Sequence, residues 1–228
     1  MASNEITVKE KEMRTLVAVP CMDMVHSLFL KSILGMNVSG DVEFSLGLSS
    51  LIYDSRNRLA HKAVEDGFDR ILWLDSDMLF APDLFNRLSA WLDEGYEMMS
   101  GIYYTRKEPI KPVIYKSCCL VKNENGDPVP DAKPYLDFPK DRPFEVAAHG
   151  FGAVMMTTKL VKDVADEFGL PFSPVLGFGE DLSFCMRVQQ LGRKMFCDPA
   201  IKLGHIAYVP ITEQIYERMQ NNEIRGDL

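Results

Sequence analysis

No apolar run in this sequence approaches the roughly 18 to 20 residues that a membrane-spanning helix needs, so no span is expected. The polar, mixed-charge opening MASNEITVKEKEMRT carries no secretory signature either. Cysteine is sparse and unpatterned: Cys21, Cys118, Cys119, Cys185 and Cys197 form an odd set without CxxC spacing. A disulfide framework or zinc knuckle is therefore not expected, and reduced thiols in a cytoplasmic location are. Positive charge is short as well. Lys and Arg number 25 against 33 Asp and Glu, and the net charge of −8 disfavours a long phosphate backbone, whose binding runs on basic stripes. A small anion neutralised by a metal stays compatible with that balance. Neither GxGxxG nor GxxxxGK[ST] follows a predicted strand, which sets aside dinucleotide and P-loop sites. There is no internal repeat and no low-complexity segment.

What is present is enough for one buried core: 228 residues, 46% of them hydrophobic. TLVAVP, residues 15–20, reads as a first strand, 24–34 as a helix, and VEFSLGL, 42–48, as a second strand. A serine-capped helix through Val64 with a stop at Gly67 follows, then the strand 71–74. Strand and helix alternating in this way predict an α/β sheet with parallel crossovers. Pro82 is placed to open a helix running to about Glu94, and EMMSGIYY predicts another strand. Prolines 128, 130, 134, 139 and 143 around NENGDP predict a hairpin and an irregular excursion lying over a site. FEVAAHGFGAVMMTT resumes strand character, KLVKDVADEFG and EDLSFCMRVQQLG read as helices, and KMFCD and IKLGH as a closing pair of strands. The tail is expected to be helical from Thr212.

Three constellations carry candidate chemistry. RILWLDSDMLF runs a strand into Asp75 and Asp77, and adjacent carboxylates repel unless a cation or proton separates them. In extended geometry residues i and i+2 share a side, so both acids are expected to face one hard ion such as Mg2+ or Mn2+. The plainer alternative has Asp77 capping the next turn and Asp75 solvated. In GFGEDLSFCMR, Gly177 and Gly179 free the backbone to approach a ligand, and Glu180 with Asp181 falls where a helix begins. Such acids serve a helix dipole, or accept a proton from an attacking hydroxyl. His205, closing IKLGH, is either structural or an imidazole completing an oxygen-rich metal site.

The order of these parts, together with SRNRLAHKAVEDGFDRILWLDSDM and AHGFGAVMM, resembles nucleotide-sugar-dependent glycosyltransferases of the GT-A fold, especially compact family 2-like members, over about residues 15–206. The resemblance implies a single-domain, Rossmann-like α/β fold with a mixed, mainly parallel central sheet flanked by helices. It places the domain at 15–210, with a polar extension at 1–14 and a tail at 211–228. Asp75 and Asp77 then match the DxD motif, Asp77 binding Mn2+ or Mg2+ and Asp75 touching metal, sugar or ribose, with Ser76 between them. Pro20, Cys21 and Met22 match the wall beside the nucleotide base, and Arg56 with Asn57 matches a helix that touches base or phosphates. Gly150 and Gly152 match the strand flanking the sugar pocket. Asp181, with Glu180 beside it, matches the pair that supplies the base in inverting members, and His205 matches a late metal ligand.

The implied reaction moves one sugar from a nucleoside-diphosphate sugar donor to a hydroxyl acceptor: a glycan, small molecule, protein or, less readily, DNA. No QxxRW motif and no extra membrane helix occurs, which argues against processive polymer synthesis. Two alternatives stand beside it. The strand before DxD also resembles the first motif of haloacid dehalogenase-like phosphatases, although Leu79 replaces the usual Thr or Val. A non-catalytic module binding nucleotide or glycan is the other.

Overall fold

The structure, a computed structural model, describes residues 13–208 and 210–220; the expected 1–14 extension lies outside it except for its last two residues, as does the tail from 221. Strand β1 (Arg14–Cys21), helix α1 (Ser27–Leu34), β2 (Asp41–Leu48), α2 (Ile52–Glu65) and β3 (Arg70–Leu74) follow the expected alternation. β1 pairs in parallel with both β2 and β3. The chain thus moves outward from β1 to β2 and returns across β1 to β3. A common right hand for both crossovers requires the connecting helices to lie on opposite faces. They do: α1 sends Phe29 into the core on one face, and α2 sends Leu59, Ala60 and Ala63 into the other.

After β3 come the two-residue β4 (Met78–Leu79), α3 (Leu84–Asp93) and β5 (Met98–Ile102). The hairpin β6 (Ile114–Lys122) and β7 (Pro128–Pro134) is followed by β8 (Phe144–Val146), β9 (Ala148–His149) and β10 (Ala153–Thr157). Helices α4 (Thr158–Phe168) and α5 (Glu180–Gln190), strands β11 (Met195–Lys202) and β12 (Gly204–His205), and α6 (Glu213–Gln220) complete the order. The central sheet has seven strands, ordered β2-β1-β3-β10-β5-β11-β8. Only β10 and β8 run against the other five, so the sheet is mixed and mainly parallel.

Side-chain alternation splits the core into two layers. Leu16, Ala18, Ile71, Trp73, Val154 and Met156 face α2, α4 and α5, while Val17, Val19, Leu72, Leu74, Ala153 and Met155 face α1 and α3. The central strands are apolar on both faces because both are covered, as parallel sheets require. Among the described residues no helix is long and apolar enough to cross a membrane.

Several local expectations shift. FEVAAHGFGAVMMTT, expected to have strand character, divides into three strands, because the chain leaves the main sheet at Ala148–His149 to pair with β6 and re-enters as β10. The closing pair KMFCD and IKLGH is mostly one strand, β11, with a register shift between Cys197 and Lys202 where Pro199 interrupts the ladder. Helix α3 opens at Leu84 with Asp83 at its cap position, two residues after the expected Pro82. The cap position of α2 is Leu51, although Ser49 still serves nearby, its Oγ accepting from the Leu51 amide at 3.2 Å.

Candidate functional site

In an open α/β sheet the carboxyl ends of parallel strands face the crevice where ligands bind. β10 runs antiparallel between β3 and β5, so its leading residues, 150–152, lie at that end. The Asp75 amide donates to the Gly152 carbonyl at 3.2 Å. Sheet order thus joins the acidic triplet to the glycine pair.

β3 ends at Leu74 and the chain turns at once, the Met78 amide donating to the Asp75 carbonyl at 3.2 Å. The expectation that Asp75 and Asp77 share a side is therefore corrected, since alternation holds only while the backbone stays extended. The two carboxyls turn to separate cations. Asp75 Oδ1 accepts from Arg56 Nη2 at 2.6 Å, and Asp77 Oδ2 accepts from Arg106 Nη1 at 2.6 Å. Ser76 borders a cleft of about 380 Å3 with Asp77, Arg106, His26, Met24 and Tyr208.

Asp77 and His205 meet through the small ladder of β4 and β12, in which His205 pairs with Met78 and the Ile206 amide donates to the Asp77 carbonyl at 2.9 Å. His205 Nε2 lies 3.5 Å from Asp77 Oδ2. Nδ1 lies 2.8 Å from the Tyr104 carbonyl, which only accepts, so Nδ1 carries a proton, and Nε2 donates to the Asp77 carboxylate when the ring is protonated and presents a free lone pair when it is neutral. The Tyr103 ring meets the imidazole edge-on at 5.3 Å. Burial alone would raise the Asp77 carboxyl, but the His205 contact and the Arg106 charge outweigh it and hold it below 3.8. His205 itself is lowered by burial and raised more by Asp77 and Tyr104, so it ends above its ordinary value.

The other side of the site is built on Arg56. It sits on the buried face of α2 and is 1% exposed. Its Nε donates to Glu180 Oε1 at 3.1 Å while Nη2 holds Asp75, and the guanidinium lies over Trp73 and Phe151 at 5.3 and 5.2 Å. Burial works against its charge, and Asp75, Glu180 and Asp181 outweigh that. Nη1 is buried without a partner. Asp75 is driven upward, chiefly by burial and further by Asp77, with Arg56 opposing.

Glu180 and Asp181 open α5, but the cap position belongs to Gly179, so neither side chain caps the helix. Asp181 Oδ1 accepts the Leu182 amide at 2.7 Å. Burial, and then the charge of Glu180, pushes Asp181 up to about 6. Gly177, at φ +89, fits a conformation that favours glycine, and a Cβ there would rest 3.4 Å from Pro130 of β7. The hairpin therefore abuts the loop leading into α5.

The remaining expected residues divide. A Cβ on Gly150 would lie 2.0 Å from Tyr103 Oη, and one on Gly152 would lie 3.0 Å from Met78 and Tyr103. These glycines make room for a phenol whose oxygen accepts the Gly152 amide at 3.3 Å. Burial, then Asp75 and Asp181, raises that phenol well above 10. Asn57 spends its Oδ1 on the Phe172 amide at 2.9 Å. Pro20 and Cys21 are buried in β1, and Met22, 61% exposed, is the member of that trio that reaches solvent. Tyr103 and Arg106 carry no local sequence signal of a site role, and the structure brings both to it. Arg56 as a clamp was legible in principle: an arginine on the apolar stripe of a helix needs carboxylate partners.

Among the described residues no three His, Cys, Asp or Glu side chains cluster as a metal site. Asp77 and His205 offer two donors, a hard oxygen and an imidazole, of the kind that holds Mg2+ or Mn2+ when phosphates and water supply the rest.

No protein-family model matches the chain, and no curated protein matches it in sequence. Solved structures match it in shape. A197 from STIV superposes with a TM-score of 0.56 at 18% identity, covering 88% of this chain and 97% of that one. GalNAc-T7, crystallised with UDP, GalNAc and Mn2+, superposes with a TM-score of 0.57 at 13% identity, covering 88% of this chain and 45% of that one. At such identities the likeness speaks for the fold, which is of the GT-A type.

Proposed function

We propose that the protein is a metal-dependent glycosyltransferase that moves a single sugar from a nucleoside-diphosphate sugar to a hydroxyl acceptor. The observation that carries this reading is the meeting of Asp77 and His205 at the strand ends, two residues along the chain from Asp75, which Arg56 ties to Glu180. The GT-A shape, shared with a protein whose crystals held UDP, GalNAc and Mn2+, supports it. The catalytic unit is read as residues 15–210.

Asp77 and His205 would hold the ion. Once bound, a divalent cation would neutralise charge developing on the departing diphosphate. Arg106, half-exposed, balances Asp77 in the free protein and lines the cleft where an anion would lie. Asp75 is fixed by Arg56 and is read as a donor-orienting group rather than a direct ligand. Asp181, ionised above about pH 6, is the group suited to take the acceptor's proton. The phosphatase alternative fares worse, because its nucleophile would be Asp75, whose Oδ1 already engages a buried guanidinium.

A thermal-shift panel of UDP-, GDP-, CDP- and dTDP-sugars with and without Mn2+ tests the reading, since a ligand raises apparent stability with the logarithm of its saturation. One nucleotide class should give a Mn2+-dependent shift that Asp77→Ala abolishes. Equal shifts with and without the ion, unchanged in Asp77→Ala, would remove the metal from the proposal.

A further inference from the structure

The two ends of the central sheet are built differently. At one end, β8 is three residues long and its apolar side chains Phe144 and Val146 are buried. At the other, β2 presents eight residues, and among the described residues no strand pairs with its outer side. Natural sheets guard such edges with lysine, proline, bulges or short length. The only charges on β2 are Asp41 and Glu43, both paired within the chain; residues 41–48 contain no Lys, Arg or Pro, and the pairing with β1 runs eight residues without a register shift.

The exposed side of β2 is also apolar. Val42, Phe44, Leu46 and Leu48 fall on one face, continuing the layer that contains Val17 and Val19. Phe44, Leu46 and Leu48 are 46%, 59% and 60% exposed. Helix α1, anchored in the same layer through Phe29, adds Leu30 and Leu34 at 45% and 79%. Three large apolar side chains exposed along one edge strand form the kind of surface that marks association sites.

We propose that the edge is covered by a second copy of the same chain, β2 pairing antiparallel with its mate about a two-fold axis through Ser45. The sequence is self-complementary in that register. Residues directly opposite share a face, so centring on Ser45 sets Phe44 against Leu46 of the mate and Val42 against Leu48, each twice. Both acids avoid like charge: Glu43 meets Gly47 and Asp41 meets Ser49. Centring on Phe44 leaves Leu48 facing Gly40, centring on Leu46 leaves Val42 facing Ser50, and a half-step places the apolar face against the polar one. Only the Ser45 axis pairs all four apolar residues. Glu43 and Asp41 are already neutralised within the chain, by Lys62 at 2.9 Å and Arg14 at 3.0 Å, which lets two copies of net charge −8 approach along this edge.

Sedimentation of the full chain across the micromolar range tests this, with Leu46→Lys and with cysteine pairs in a Cys119→Ser background. The expected result is a dimer that Leu46→Lys converts to a folded monomer whose thermal midpoint no longer depends on protein concentration, since residue 46 is 59% exposed in the single chain. Ser45→Cys should give a covalent dimer on mild oxidation, its thiol lying on the axis, and Glu43→Cys should not. A chain that stays monomeric at all concentrations overturns the proposal. So does a dimer that survives Leu46→Lys without Ser45→Cys linkage, which would place the contact on another surface. A monomer that dimerises once residues 2–12 are deleted would assign the edge to the chain's own N-terminal segment and overturn it likewise.

Discussion

Asp75 and Asp77 stand two residues apart and answer to opposite surroundings. Asp75 belongs to a buried clamp in which one guanidinium holds two carboxylates, and its carboxyl is driven up. Asp77, its side chain as exposed as that of Asp75, belongs to a corner with an imidazole and a half-exposed arginine, and its carboxyl is held down. The pair teaches that an acidic motif does not assign roles; environment does, by separating protonation behaviour within one turn of chain. The cation of the clamp is buried, whereas that of the corner is half-exposed.

The largest effect is expected from breaking the clamp. Arg56→Met leaves Asp75 and Glu180 facing each other without a cation, and should cost about 3–5 kcal/mol in a urea titration. A loss near that of a surface pair would erase the distinction between the two regions. Asp181 gives a middle-sized effect of opposite sign. Its folded-state value of about 6 exceeds the ordinary 3.8, so the fold favours the protonated form and loses stability as pH rises between them. Asp181→Asn should therefore stabilise the protein by about 1–2 kcal/mol at pH 8, with the gain vanishing near pH 4, while abolishing most turnover. Wild-type activity should fall as pH drops through about 6. The smallest stability effect is expected at the corner: Arg106→Ala removes a half-exposed pair and should cost under about 0.5 kcal/mol. It should at the same time tighten Mn2+ binding, read by calorimetry, because Asp77 loses a competing cation.

The first five elements were legible because each is announced by its own local pattern: continuous apolar runs in β1 and β3, alternation in β2, a 3.6-residue stripe through Leu59, Ala60 and Ala63, and a glycine stop at Gly67. The candidate acids and His205 were legible as residue types at element ends. Their partners were not. Arg56 meets Glu180 and Asp75 only because α2, α5 and β3 converge, and no local pattern encodes that meeting. The insertion of β10 between β3 and β5 is equally non-local, and it decides that Gly150 and Gly152 receive Tyr103. Pro199 misled in the other direction, since a bulge let β11 continue through a residue that normally ends a strand.

The ladder that joins β4 to β12 ties residues near the first third of the chain to residues near its last tenth. During synthesis Asp77 leaves the ribosome long before His205, so the scaffold is nearly complete when the imidazole arrives. The corner proposed to hold an ion thus closes late, and a nascent chain carries Asp75, Asp77, Glu180 and Asp181 before Asp77 can meet His205.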